Sequence, residues 1–173
     1  TLKIDSSRLD IVNLCIKNNG VLIDTELTFY KEIGLSKEKN TIPTSFAIQK
    51  LKTYWDNSLY NLTKTLQFSR FFIDNHIPKH LAEKIWNKSI FNSCNGRASY
   101  SIVCFDGSKP IGLMNIFEQN GTSDIFLIAV LPEYQSFGIG RQMMVFYETS
   151  INSDIKKITV ETQLINYGAS NFY

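Results

Sequence analysis

Gly138 and Gly140 stand one residue apart, after the apolar run Ile128–Leu131 and Pro132, at the head of a segment with helical periodicity. Glycine at a strand-to-helix passage lets the main chain come close to a ligand, and the first turn of a helix offers free N–H groups and a positive dipole end. Together they make a cradle for a pyrophosphate; a plain turn is the competing account. Two nucleotide-binding patterns are excluded by the flanking residues. Glu161 follows Gly140 at about the distance of the ribose-binding carboxylate of a dinucleotide fold, but the segment from strand to glycine is too long for that fold's tight first turn. Met143 also replaces its third small residue. No glycine-lysine-serine or glycine-lysine-threonine run is present, which removes the P-loop.

Other chemistry-bearing residues are sparser. His76 and His80 have the spacing of two metal ligands on a helix, but Pro78 lies between them and no carboxylate shares their face, so no metal is expected. Arg70, Lys79 and His80 form a basic group suited to the phosphates of a nucleotide-sugar, with a solvated basic surface as the plainer account. Phe71, Phe72 and Trp86 could stack on a base or sugar, with a place in the core as the plainer account.

The elements that must position these residues follow from periodicity. Ser7–Asn19 reads as a helix closed by Gly20, Val21–Ile33 as a strand, and the polar Gly34–Thr44 as a linker. A short strand near Phe46–Gln49 and a helix over about Lys52–Gln67 come next. A second helix is expected from Pro78 to Asn92 with Leu81, Ile85, Trp86 and Ile90 as its apolar stripe. ASYSIVCFD and PIGLMNIFEQ read as strands joined by Asp106–Lys109 in a hairpin, and Ser123–Leu131 as a fully buried central strand. The helix from Gly138 to Ser150 places Ile139, Met143, Phe146, Tyr147 and Ile151 on one face; KKITVETQ is then a strand and NYGASNFY the opening of a last helix. A hairpin followed by a late strand-helix-strand unit makes the fold α+β, its sheet part antiparallel and part parallel.

Composition bounds the function classes. The chain has 173 residues, 43% hydrophobic and 20% charged, a globular balance that argues against disorder or a coiled coil. A net charge of +2 is too slight for a nucleic-acid binder. Cys15, Cys94 and Cys104 are odd in number and lack metal-type spacing, which points to a reducing cytoplasm. No run has the length of a membrane span, and no membrane partner is expected. Both chain ends, Thr1 and Tyr173, read as cut.

The stretch LIAVLPEYQSFGIGRQMM resembles the acetyl-CoA motif of the GCN5-related N-acetyltransferases, in which a strand ending in V-x-P precedes Q/R-x-x-G-x-G/A and a helix. Gln135, Gly138 and Gly140 fall on its three defining positions. Ser69–Phe71, Ile111–Asn120 and ETQLINYGASNFY are similar to stretches of the TDP-fucosamine (dTDP-4-amino-4,6-dideoxygalactose) acetyltransferase group. The resemblance implies a three-layer fold with a mixed central sheet over residues 41–173, preceded by a small degenerate lobe and linker over 1–40, with the family's last strands absent.

It also implies a site. Acetyl-CoA would be the co-substrate, its pantetheine pairing with Ile128, Ala129 and Val130, and the Val130 N–H would hold the oxyanion. The pyrophosphate would lie on Gln135, Ser136, Phe137, Gly138, Ile139, Gly140 and Arg141, and Asn166 would bond the pantetheine. Tyr173, seven residues after Asn166 and on the same helical face, is the expected general acid, a phenol near 10 being matched to a thiol near 8.5. Glu118 is the expected base, with Arg70 and Glu118 on the acceptor. The acceptor implied is a primary amine, foremost that of a nucleotide-linked amino sugar used in surface polysaccharide synthesis. Another small amine, a protein N-terminus, or a non-catalytic acyl-CoA-binding module remain open, as does a homodimer.

Overall fold

The computed structural model describes residues 2–33 and 45–173, so the expected linker at Gly34–Thr44 lies outside the described residues. The first helix, α1 (Leu9–Lys17), buries none of its side chains. It is followed by β1 (Glu26–Glu32), which starts later than the apolar pattern indicates.

After β2 (Ala47–Leu51), the stretch expected to be α-helical forms a 3-10 helix, Asn57–Thr65. Asp56 starts it, its carboxylate accepting the Ser58 N–H at 2.8 Å. A short α2 (Arg70–Ile73) leads to α3 (Lys79–Asn92). The buried stripe of α3 is not the expected one: Leu81 and Ile85 are 42% and 40% exposed, whereas Ala82 and Ile90 are buried. Ala82, Trp86 and Ile90 recur at helical spacing, and the Trp86 indole donates to Ser69 Oγ at 2.7 Å, which turns the helix one position from its most apolar face.

The hairpin is β3 (Tyr100–Asp106) and β4 (Lys109–Gln119), joined by Gly107 and Ser108 as the turn residues require. Next come β5 (Thr122–Val130), α4 (Ile139–Ser150), β6 (Lys157–Gln163) and a four-residue α5 (Tyr167–Ser170). β5 is central but not fully buried; buried and half-buried side chains alternate along it, because its two faces carry different cover.

The strands form one mixed sheet in the order β1-β6-β5-β4-β3-β2, parallel between β5 and β6 and antiparallel elsewhere. β1, from the segment read as a preceding lobe, pairs with β6 over all seven of its residues. Helical layers cover both faces. Glu118 accepts from Asn152, just beyond α4; Asn115, three residues earlier on β4 and so on the other face, donates to Ser101 and toward Cys94 of the turn after α3. The core between them is built on Ile102, Val103, Leu113, Met114, Met143 and Tyr147. This is the expected α+β, three-layer architecture.

Candidate active site

The site begins with a flaw in the sheet. Ile116 pairs with Ile125 and Asn115 with Leu127, so Phe126 is an extra residue on β5. A bulge of this kind bends its strand and ends regular pairing. The parallel ladder between β5 and β6 stops at that point, its last rung joining Ile125 to Val160. Beyond it β5 follows β4 to Val130 while β6 follows β1 to Gln163, and a wedge opens between them.

The main chain of β5 faces this wedge at alternate residues. The Leu131 N–H donates to Ile111 O on the β4 side at 2.9 Å, so the N–H groups of Ile128 and Val130 point the other way, into the opening. Ala129, also expected at the cofactor, stands opposite Leu113 with its main-chain groups turned toward β4. Gln135 Nε2 donates to Val130 O at 3.1 Å, tying the following loop to the strand end.

That loop carries two left-handed residues, Ser136 at φ 69° and Gly138 at φ 73°. Gly138 is the residue before α4, and no side chain caps the helix there, so the N–H groups of Ile139, Gly140 and Arg141 are left to other partners. Only glycine takes this conformation without cost, which is the reason for Gly138. Gly140 answers a different need. A Cβ there would stand 3.4 Å from the Phe172 ring, so the C-terminal segment lies close against the start of α4 at this residue. Phe137 is 63% exposed and the Ile139 side chain is buried, which leaves Ile139 its N–H alone for a ligand.

The remaining predicted residues fall in three places. Arg141 lines a cleft of about 460 Å3 together with Phe29, Met144, Val160, Phe172 and Tyr173. Tyr173 packs on Phe29 with ring centroids 5.8 Å apart, and burial pushes its hydroxyl up to about 12, further from a thiol than the expected match near 10. The α5 assignment ends at Ser170, but helical hydrogen bonding continues, the Tyr173 N–H donating to Ala169 O at 3.2 Å. Asn166 caps α5, its Oδ1 accepting the Ala169 N–H at 3.2 Å.

Glu118 is not brought to the loop. It pairs with Ser123, six residues along β4 from the Gly112–Val130 rung, a separation of roughly 20 Å at about 3.4 Å per residue. Its two oxygens are occupied by Tyr100 Oη and Asn152 Nδ2, both at 2.8 Å. Arg70 sits 3.8 Å from Glu26 of β1 and over the Phe71 ring, its charge already partnered. His76 is paired with Asp74 at 2.9 Å, ahead of α3, and His80 is exposed in its first turn.

Asp124 is the carboxylate that sequence reading missed. It lies on β5 beside the last rungs before the bulge, accepting from Thr159 Oγ1 at 2.9 Å. Burial raises its pKa, the Thr159 hydrogen bond opposes this, and the Glu161 charge raises it further. The signal was an acid inside the apolar run SDIFLIAVL, which a central strand tolerates only at a cost.

Residues 59–173 match the acetyltransferase (GNAT) family. The spore coat polysaccharide biosynthesis protein SpsD of Bacillus subtilis is 27% identical over 106 residues, 61% of this chain but only 37% of that protein's length. A functionally unknown conserved protein from Staphylococcus epidermidis shares the fold at 17% identity with a TM-score of 0.58, over 99% of this chain and 62% of that one. A GCN5-related N-acetyltransferase from Sphaerobacter thermophilus does so at 11% and 0.50, over 92% of this chain and 49% of that one. Among the described residues, no helix is long and apolar enough to cross a membrane. With the family match spanning the 3-10 helix to α5, and the glycine loop standing at the mouth of the wedge, the chain belongs to the GNAT acetyltransferase family, whose members use acetyl-CoA.

Proposed function

We propose that this chain binds acetyl-CoA in the wedge and transfers its acetyl group to a primary amine, that of a nucleotide-linked amino sugar, in a reducing cytoplasm. Residues 41–173 would carry the transferase unit, with β1 added to its sheet. The observation that carries the reading is the coincidence of three features: the bulge at Phe126, the end of the β5–β6 ladder at Ile125, and an uncapped helix start behind Gly138. The donor set fits the ligand. Ile128 and Val130 offer strand-type main-chain groups to an amide-bearing arm, and the N–H groups of Ile139, Gly140 and Arg141 offer an anion site.

Acetyl-CoA supplies an activated thioester, and the chain's residues do the rest. The N–H of Val130 or Ile128 would stabilise charge on the carbonyl oxygen as the amine attacks. Tyr173 would hold a proton for the departing sulfur; its raised pKa keeps it protonated at neutral pH. Asp124 is favoured over Glu118 as the base for an ammonium substrate, because one of its oxygens is without a hydrogen bond among the described residues whereas both oxygens of Glu118 are bonded, and burial makes its carboxylate more basic.

The similarity to SpsD supports a sugar acceptor. The Arg70–Glu26 contact favours a second reading, an acceptor without phosphates, since one of the three basic residues expected on the phosphates already has a partner. Thiol release from acetyl-CoA, measured with a panel of amino-sugar nucleotides, free amino sugars, polyamines and short peptides, separates the two. Turnover confined to the nucleotide-sugars supports the first and turnover with free amines the second. Binding of acetyl-CoA without turnover of any amine would leave a non-catalytic acyl-CoA module.

A further inference from the structure

The family match begins at residue 59, so β1 stands outside it, yet β1 supplies one wall of the cleft that holds Tyr173. Phe29, the middle residue of β1, pairs with Val160, the β6 residue at the vertex of the wedge. Its ring lies 5.8 Å from that of Tyr173, tilted by 41°, and Phe172 closes the other side at 5.2 Å. From α4 across the cleft, Lys31 of β1 meets Glu148 in an ion pair of 2.7 Å, which ties the strand to the helix that begins at the glycine loop. Two separate contacts therefore join a segment outside the matched region to the residues proposed to bind and react.

We propose that β1 is a working part of the active site and that Phe29 is a positioning residue, holding the Tyr173 ring in an apolar seat between β1, β6 and α4. The proposal rests on the reading of Tyr173 as general acid. Among the described residues the Tyr173 hydroxyl makes no hydrogen bond, so ring packing is what orients it. The groups facing the ring are apolar on β6, at Ile158 and Val160, and charged at Lys31 of β1 and at Arg141 and Glu148 of α4, two of these being spent on each other. Burial is the cause of its raised pKa, and Phe29 is part of what buries it. Removing that ring admits water, lets the phenol ionise earlier, and frees it to turn from the reacting sulfur.

The test uses the whole chain with ring-carbon-labelled tyrosine, followed by NMR through alkaline titration, the Tyr173 signal being assigned by its loss in Tyr173→Phe. Phe29→Ala should lower the Tyr173 midpoint by about one unit or more toward the free phenol value. It should lower kcat about tenfold, with the most active amine of the panel, while the calorimetric Kd for acetyl-CoA stays within about twofold. Phe29→Leu should restore both, and Phe29→Val, which keeps a strand-forming residue, carries the test if the alanine variant does not fold. Unchanged midpoint and kcat in the Phe29 variants, with Tyr173→Phe inactive, would overturn the proposal and leave the general acid in place. Full kcat in Tyr173→Phe would overturn both.

Discussion

The two ends of the β5–β6 pair differ in how completely their polar groups are spent. At the closed end, Thr122–Ile125 run in register with Lys157–Val160, and the side chains beside them bond to one another. Tyr147 Oη donates to Ser123 Oγ at 2.7 Å, while Tyr100 Oη and Asn152 Nδ2 donate to Glu118, each at 2.8 Å. At the open end, β5 loses its parallel neighbour at the bulge, and a helix start without a side-chain cap lies just beyond. A network that satisfies itself specifies a fold; groups of the same kind left unpaired at a surface cleft are what a ligand can satisfy. Glu118 of β4 and Asp124 of β5 stand on neighbouring rungs at the closed end; both oxygens of Glu118 are bonded, whereas Asp124 has one hydrogen bond, from Thr159.

The comparison can be broken most directly at Tyr173. Tyr173→Phe should lower kcat by about 100-fold or more, with the Kd for acetyl-CoA unchanged, as steady-state kinetics beside calorimetry would show. Asp124→Asn should come next, a fall of about tenfold to 100-fold in kcat/KM that is largest near neutral pH, where an ammonium must still be deprotonated. The same loss in Glu118→Gln would reverse the assignment of the two carboxylates. Gly138→Ala should weaken acetyl-CoA binding about tenfold, because the left-handed conformation costs an alanine about 1–2 kcal/mol.

Effects on stability are smaller and fall at the closed end. Glu118→Ala strands the buried Tyr100 hydroxyl and should cost about 1–3 kcal/mol in urea unfolding, with kcat preserved. Tyr173 gives the pH dependence. Its folded value of about 12 lies above the ordinary 10, so the unfolded chain ionises first. Its contribution to stability should be complete below pH 10 and be lost as pH rises through about 12. The difference between wild-type and Tyr173→Phe unfolding curves across that range isolates it.

Local pattern made much of this legible. Gly107 and Ser108 between two β-rich runs require a hairpin, and Gly138 ahead of an Ile139–Met143–Tyr147 stripe marks a helix start, because turn conformation and helical period are properties of neighbouring residues. The α3 stripe was misread because Trp86 found a partner in Ser69, a choice made by an element seventeen residues away. Glu118 reads in sequence as a carboxylate near a strand end, and only the fold shows both its oxygens bonded, to Tyr100 and Asn152.

The sequence by itself determined the elements and the chemistry of the glycine loop, since glycine's freedom and the apolar periods need no partner to be read. Tertiary structure decided where the sheet splits, which carboxylate has both oxygens bonded, that Phe172 lies against Gly140, and that a strand before residue 40 packs on Tyr173. Each of these depends on pairing between residues far apart in the chain, and strand register and ring packing are set by the sum of such contacts, not by any one segment.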